Sequence, residues 1–162
     1  ALEGEPISRI IEAANHHLTG DVSHSGRFMT LFYLTIDPDL NRIEWVRAGH
    51  DPAIIFTPDT DQFEDLKGPG IALGIDDAFS YQHSRRDDLK AGQIIAVGTD
   101  GIWESPNRNG ERFGKERFKS LIRKNAGKNA GQILNAVFSD LDEFTRGLKP
   151  DDDKTLVIIK IK

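Results

Sequence analysis

The order of predicted elements is one helix, several strands, two helices and a closing strand, which points to an α+β sandwich. Three observations carry that reading. Ile7, Ile10, Ile11, Ala14 and Leu18 recur at helical spacing. Several short runs are β-branched and aromatic, bounded by Gly, Pro, Asn and Asp. The strict strand-helix alternation of a doubly wound fold is missing.

The first helix is predicted over roughly residues 6 to 18, with Pro6 near its start and Gly20 past its end. A strand follows over Phe28 to Ile36, and DPDLN makes a turn. Arg42 to Ala48 is the second arm of a hairpin, with Ile43, Trp45 and Arg47 opposed to Arg42, Glu44 and Val46. Gly49-His50-Asp51-Pro52 breaks it, and Ala53 to Phe56 is another short strand. Residues 57 to 76, including GPGIALG, read as an ordered loop, and a polar strand covers 78 to 86. Ile94 to Val97 is continuously apolar, as a strand buried on both faces would be, and it ends in Gly98-Thr99-Asp100-Gly101. One helix then carries Phe118, Leu121 and Ile122. The next carries Ile133, Leu134, Val137, Phe138, Leu141 and Phe144, with Asn129 and Gln132 placed for a capping box and Gly147 at its end. Asp151-Asp152-Asp153 precedes the last strand, Thr155 to Ile161.

The 162 residues suffice for one domain, 1–162, with one core. A formal charge of −5 disfavours general nucleic-acid binding. With no cysteine, disulfides, thiolate zinc sites and cysteine nucleophiles are excluded, and a cytoplasmic setting is compatible. No apolar run approaches the roughly 20 residues of a membrane helix.

Two acidic points abut strongly apolar strands: Asp100 after Ile94–Val97, and Asp152 and Asp153 before Leu156–Ile159. If those strands are antiparallel neighbours, the carboxylates meet at one edge of the sheet. Carboxylates without thiols or paired histidines suit Mg²⁺, Mn²⁺ or Ca²⁺, which can activate water or clamp a phosphoryl group. Each point also has a plainer reading, as a turn or a solvated loop. Asp37-x-Asp39-x-Asn41 copies the opening of a calcium loop, but Arg42 stands where Gly is needed and Ala48 where Glu is needed. Adjacent His16 and His17 face different directions on their helix, His83 falls on an exposed strand, and no G-x-S-x-G elbow accompanies the serines. Lys115, Arg117, Arg123 and Lys124 make a modest basic face, read as solvated.

Several segments fall in one order: RFMTLFYLTID, WVRAGHDPAIIF, GIALGI, GQIIAVGTDGIWESPNRNGERFG and DDDKTLVIIKI. That order resembles the bacterial SpoIIE/RsbU-like branch of the PPM, or protein phosphatase 2C, family. The resemblance implies a PPM-type β-sandwich flanked by helices in αββα layers. It also implies a phosphoserine/phosphothreonine protein phosphatase with two Mn²⁺ or Mg²⁺ ions, in which a metal-activated water attacks phosphorus directly. By motif, Asp100 and Asp152 match ligands, with Asp153 the adjacent second choice. Thr99 and Thr155 are expected to hydrogen-bond around them beside Gly101, and His50 of the AGH loop is assigned a structural role. Family substrates are small phosphorylated regulators such as anti-anti-sigma factors, and sensor or receiver domains often precede the phosphatase.

GDVSHSG, residues 20–26, is similar to a family motif that supplies further metal ligands, which makes Asp21 a candidate ligand and His24 a candidate base. In the family that motif opens a long helix, whereas here only Arg27 separates it from Phe28. It is therefore read as the ordinary loop between helix and strand. The first strands and the rest of the metal site are expected to lie outside this chain, leaving weak metal binding and sheet edges that invite a homodimer. The rival reading is a degenerate, non-catalytic module that binds a regulatory partner. A third is a carboxylate metal hydrolase for a small phosphate ester.

Overall fold

A computed structural model of the chain describes residues 6–23, 25–146, 148 and 152–162. His24, Gly147 and Asp151 lie outside the described residues. In chain order the elements are α1 (Ile7–Val22), β1 (Leu31–Asp37), β2 (Arg42–Ala48), β3 (Ala53–Thr57), a short 3₁₀ turn (Pro58–Thr60), β4 (Gln62–Leu66), β5 (His83–Arg86), β6 (Ile94–Gly98), α2 (Asp100–Trp103), α3 (Lys115–Lys124), α4 (Ala130–Thr145) and β7 (Leu156–Lys160). Among the described residues no helix is long and apolar enough to cross a membrane.

The chain divides into two compact units. The described residues up to Pro52, with Lys67–Leu89, form the first; Ala53–Leu66 with Lys90–Lys162 form the second.

In the first unit an antiparallel sheet of order β1-β2-β5 is covered by α1. The β1–β2 hairpin pairs Leu31 with Ala48 and Asp37 with Arg42. Its turn is closed by Asp37, whose Oδ1 accepts from the N–H groups of Asp39 and Leu40, both at 3.1 Å. This use of Asp37 explains the calcium-loop look of DPDLN. Val46 and Ala48 turn one face of β2 into a core with Ile7, Ile11, Leu73 and Tyr81. Ile43 and Trp45 are buried on the opposite face, so the central strand is covered on both sides. The predicted burial of one face alone misses Val46, because alternation cannot show a second cover.

Three further expectations are corrected in this unit. The helix runs to Val22, four residues past the predicted end at 18, so Gly20 and Asp21 lie in its last turn and not in a loop. The strand begins at Leu31, not Phe28; Phe28 is 63% exposed and Met29 makes only an isolated bridge with Leu73. The stripe on α1 turns on Asn15, which is 0% exposed, while Ala14 is exposed. Asn15 donates to the Asp76 carbonyl at 2.7 Å and accepts from the Gly74 N–H at 2.9 Å, fastening the helix to the end of the GIALGID loop.

In the second unit the sheet order is β4-β3-β6-β7, antiparallel throughout. The strand β4 lies inside the stretch 57–76 that reads as loop. Its exposed Gln62, Glu64 and Asp65 hide the apolar signal. Helices α3 and α4 contribute Phe118, Ile122, Ile133, Val137 and Leu141 to a core with Ile94, Ala96 and Phe56 from the sheet. The capping box of α4 is present: Asn129 Oδ1 accepts from Gln132 N at 2.9 Å, and Gln132 Oε1 accepts from Asn129 N at 3.2 Å. The basic face on α3 is engaged within the unit. Arg117 pairs with Asp140 and Arg123 with Asp61, each at 2.6 Å. Their guanidinium groups also lie over the rings of Phe144 and Phe63.

Candidate active site

The β6–β7 pairing decides whether the two acidic points meet. The strands are antiparallel neighbours, with Ile94 opposite Lys160 and Gly98 opposite Leu156. The end of β6 therefore lies beside the start of β7, and Thr99–Asp100 is carried next to Asp152–Thr155.

Three hydrogen bonds extend the ladder past the strands. Thr99 N donates to Thr155 O at 3.0 Å, Thr155 N donates to Thr99 Oγ1 at 3.0 Å, and Thr99 Oγ1 donates to Asp153 O at 3.1 Å. One threonine hydroxyl thus both accepts and donates across the junction. Gly101 is needed at the same place. A Cβ built there would stand 2.4 Å from Asp153 O and 3.6 Å from the Asp152 Cβ. The backbones of the two motifs touch, and a side chain at 101 would separate them.

After Thr99 the chain does not simply turn. Asp100 opens α2, a single helical turn, instead of closing a strand-end turn. Ser105, buried, donates to Gly101 O at 2.7 Å and steadies that turn.

Asp100 and Asp152 line one cavity of about 350 Å³, together with Glu104, Ser105, Gly110 and Arg112. Both aspartates are exposed. Asp100 Oδ1 accepts from Gly101 N at 3.0 Å and Asp152 Oδ1 from Asp153 N at 2.8 Å. Each bond engages one of the two carboxylate oxygens and holds the head group in place. These are hard oxygen donors, which suits Mg²⁺ or Mn²⁺. Among the described residues no group of three or more His, Asp or Glu side chains is placed to hold a metal ion. Asp100 and Asp152 therefore fit such an ion as part of a ligand set. Asp153 is exposed and contributes its backbone carbonyl to Thr99.

His50 belongs to the first unit. Its Nδ1 lies 2.8 Å from Asp51 O, and its ring packs edge-on against Phe32 at 6.5 Å. The AGH loop is tied down by Arg47, which donates to Gly68 O at 2.6 Å and to His50 O at 2.9 Å. Gly49 has φ +72°, and a Cβ there would lie 2.7 Å from Ala72 N, so the AGH and GIALG motifs need this glycine to meet. Asp21 and the two helix histidines join no metal cluster among the described residues, and His83 is exposed.

Glu104 and Arg112 were not singled out by sequence. The signal lay in the chain: Glu104 stands one helical turn after Asp100, and Arg112 directly precedes the buried Phe113 that anchors its hairpin. Neither spacing points to a cavity until the hairpin folds back.

The fold is that of the PP2C class of phosphatase domains. Its match to the SiaA-PP2C domain of Pseudomonas aeruginosa has a TM-score of 0.82 at 19% identity, covering 96% of this chain and 61% of that one. The match to the SpoIIE phosphatase domain of Bacillus subtilis, presoaked with Mn, has a TM-score of 0.61 at 23% identity, covering 98% and 68%. The Stage II sporulation protein E (SpoIIE) family profile matches residues 1–162, and the chain belongs to that family. It is 24% identical over 155 residues to the phosphoserine phosphatase RsbU of Bacillus subtilis (strain 168), covering 96% of this chain and 45% of that protein. The chain thus spans about half the length of that curated relative.

Proposed function

We propose that residues 1–162 are the C-terminal major part of a single metal-dependent protein serine/threonine phosphatase domain. The observation that carries the reading is the meeting of Asp100 and Asp152 at one cavity, locked by Thr99 and permitted by Gly101. Membership of the SpoIIE family and the name of the RsbU relative support the phosphoserine chemistry.

In this reading Asp100 and Asp152 would hold Mn²⁺ or Mg²⁺ through carboxylate oxygens, with Asp153 as the adjacent second choice. An ion held there would supply Lewis-acid activation of water and charge neutralisation at the phosphoryl group. Thr99 and Thr155 hold the two aspartate-bearing segments in register, so the ligand oxygens stay fixed while the substrate changes. Ser105 keeps α2 from rotating Asp100 away. His50 stays structural, through its contacts with Asp51 and Phe32. The substrate class is a phosphorylated regulatory protein, of which an anti-anti-sigma factor is an example, in the cytoplasm. An upstream sensor or receiver domain in the full-length protein would supply control.

One observation favours a second reading. Two carboxylates make an incomplete site for an ion that prefers octahedral oxygen coordination, and among the described residues no group of three acidic or histidine side chains is placed to complete it. A non-catalytic module that binds a regulatory partner would tolerate that deficit. The two are separated by stripping the full-length protein of metal and following phosphate release from a phosphoserine peptide as Mn²⁺ or Mg²⁺ is restored. Metal-dependent release supports the phosphatase. No release at any metal concentration leaves the binding module.

A further inference from the structure

We propose that Arg112 is the substrate-phosphate anchor of the Asp100–Asp152 cavity and that Glu104 holds it in readiness; the inference rests on the phosphatase reading above. Among the described residues lining the cavity, Arg112 is the only cation, and Asp100, Asp152 and Glu104 line it as carboxylates. A phosphate monoester dianion is repelled by those carboxylates. A guanidinium at the rim offsets that repulsion and offers a planar fork that matches two phosphate oxygens.

The backbone beneath Arg112 is rigidly built. Pro106 and Arg112 form a β-bridge, Asn107 N donates to Glu111 O at 2.9 Å, and Asn107 Oδ1 accepts from Asn109 N at 2.9 Å and Glu111 N at 3.0 Å. Phe113, 3% exposed, donates its N–H to Ser105 O at 2.9 Å and fastens the hairpin to the segment that follows α2. The side chain above it is not buried. Arg112 Nη1 meets Glu104 Oε1 at 3.0 Å, with the two side chains 67% and 51% exposed. That contact engages one of the five N–H donors a guanidinium carries. An exposed pair of this kind is weak, so exchanging Glu104 for a phosphate costs little.

The test uses the full-length protein in Mg²⁺ buffer. Inorganic phosphate binding is measured by calorimetry, and steady-state kinetics are measured on a phosphoserine peptide. Arg112→Gln is expected to weaken phosphate binding by about 10-fold or more and to raise KM for the peptide in step, as loss of charge-assisted bonds does. Arg112→Lys should restore only part, because an ammonium cannot form the fork. Glu104→Gln should tighten phosphate binding by about 2- to 5-fold by releasing the arginine. If Arg112→Gln stays within about 2-fold of wild type in either measurement, well below a charge-assisted bond, the proposal is overturned. The two readings fail separately. Arg112-dependent phosphate binding without peptide hydrolysis would sink the phosphatase and keep the anchor. Peptide hydrolysis indifferent to Arg112→Gln would do the reverse.

Discussion

Gly101→Ala tests the junction of the two motifs with one added methyl group. The new Cβ would stand 2.4 Å from Asp153 O and 3.1 Å from its carbonyl carbon, against 3.4–4 Å for an ordinary contact. Relief requires a displacement of about 1 Å, and the obstacle is backbone, so no side chain can swing aside. The 152–155 segment is exposed at its aspartates, so it is the side that would yield. Moving it stretches the bonds from Thr99 Oγ1 to Asp153 O and from Thr155 N to Thr99 Oγ1, at 3.1 and 3.0 Å. Two such bonds contribute about 1–3 kcal/mol together. Alanine returns up to about 1 kcal/mol through helix propensity in α2. The net destabilisation should be about 1–2 kcal/mol on these figures, small enough to leave the domain folded. Activity should suffer far more, because a misplacement of about 1 Å at a reacting centre can cost on the order of 100-fold. The assays are a urea melt and metal-dependent phosphate release. A variant with wild-type release would refute the claim that the two segments must touch.

Other predictions follow from single contacts. Asn15→Leu should cost about 2–4 kcal/mol in a urea melt, since it strands the Asp76 carbonyl and the Gly74 N–H; an unchanged midpoint would contradict the fastening role. Asn129→Ala should lower stability by about 1 kcal/mol by removing the cap of α4, read from the same melt, and no loss would count against the capping box. Arg42 donates to Asp87 at 2.6 Å, with Arg85 at 3.0 Å, and this holds the Asp87 carboxyl below the usual carboxylate range. A depressed pKa stabilises the fold above the unfolded value of about 4 and is lost as pH falls through the lower folded value. Asp87→Asn should therefore flatten the acid limb of the unfolding midpoint below about pH 4; superimposable limbs would speak against the pairing.

The sequence made the chemistry of the site more legible than its surroundings. Asp100 and Asp152 stood out because each abuts a continuous apolar strand, and antiparallel pairing of those strands is enough to bring them together. Thr99 and Gly101 were named with them, but the reason for glycine, contact with Asp153 O, needs coordinates. Arg112 is hidden from local pattern because a hairpin of turn formers folds it back onto the cavity, and Glu104, one helical turn after Asp100, points to no cavity until that hairpin closes it. The missed strand β4 has exposed polar positions on an edge, where burial does not enforce alternation. The overrun of α1 has a similar cause: Gly20 reads as a helix stop, yet the last turn is held by its own backbone and by the packing of Val22 toward Gly74. Gly20, Asp21 and Val22 of GDVSHSG are thus helical, and the residue types of that stretch are ones that helix ends and turns share.

The central claim is that Asp100 and Asp152 act together on one metal site. Its most direct measurement is the Mn²⁺-dependent rate of phosphoserine-peptide hydrolysis for the full-length protein, Asp100→Asn, Asp152→Asn and the double variant. Groups that work as a unit are non-additive. Each single variant should lose roughly 100-fold or more, and the double variant should be hardly slower than either. Wild-type rates in either single variant would contradict the account.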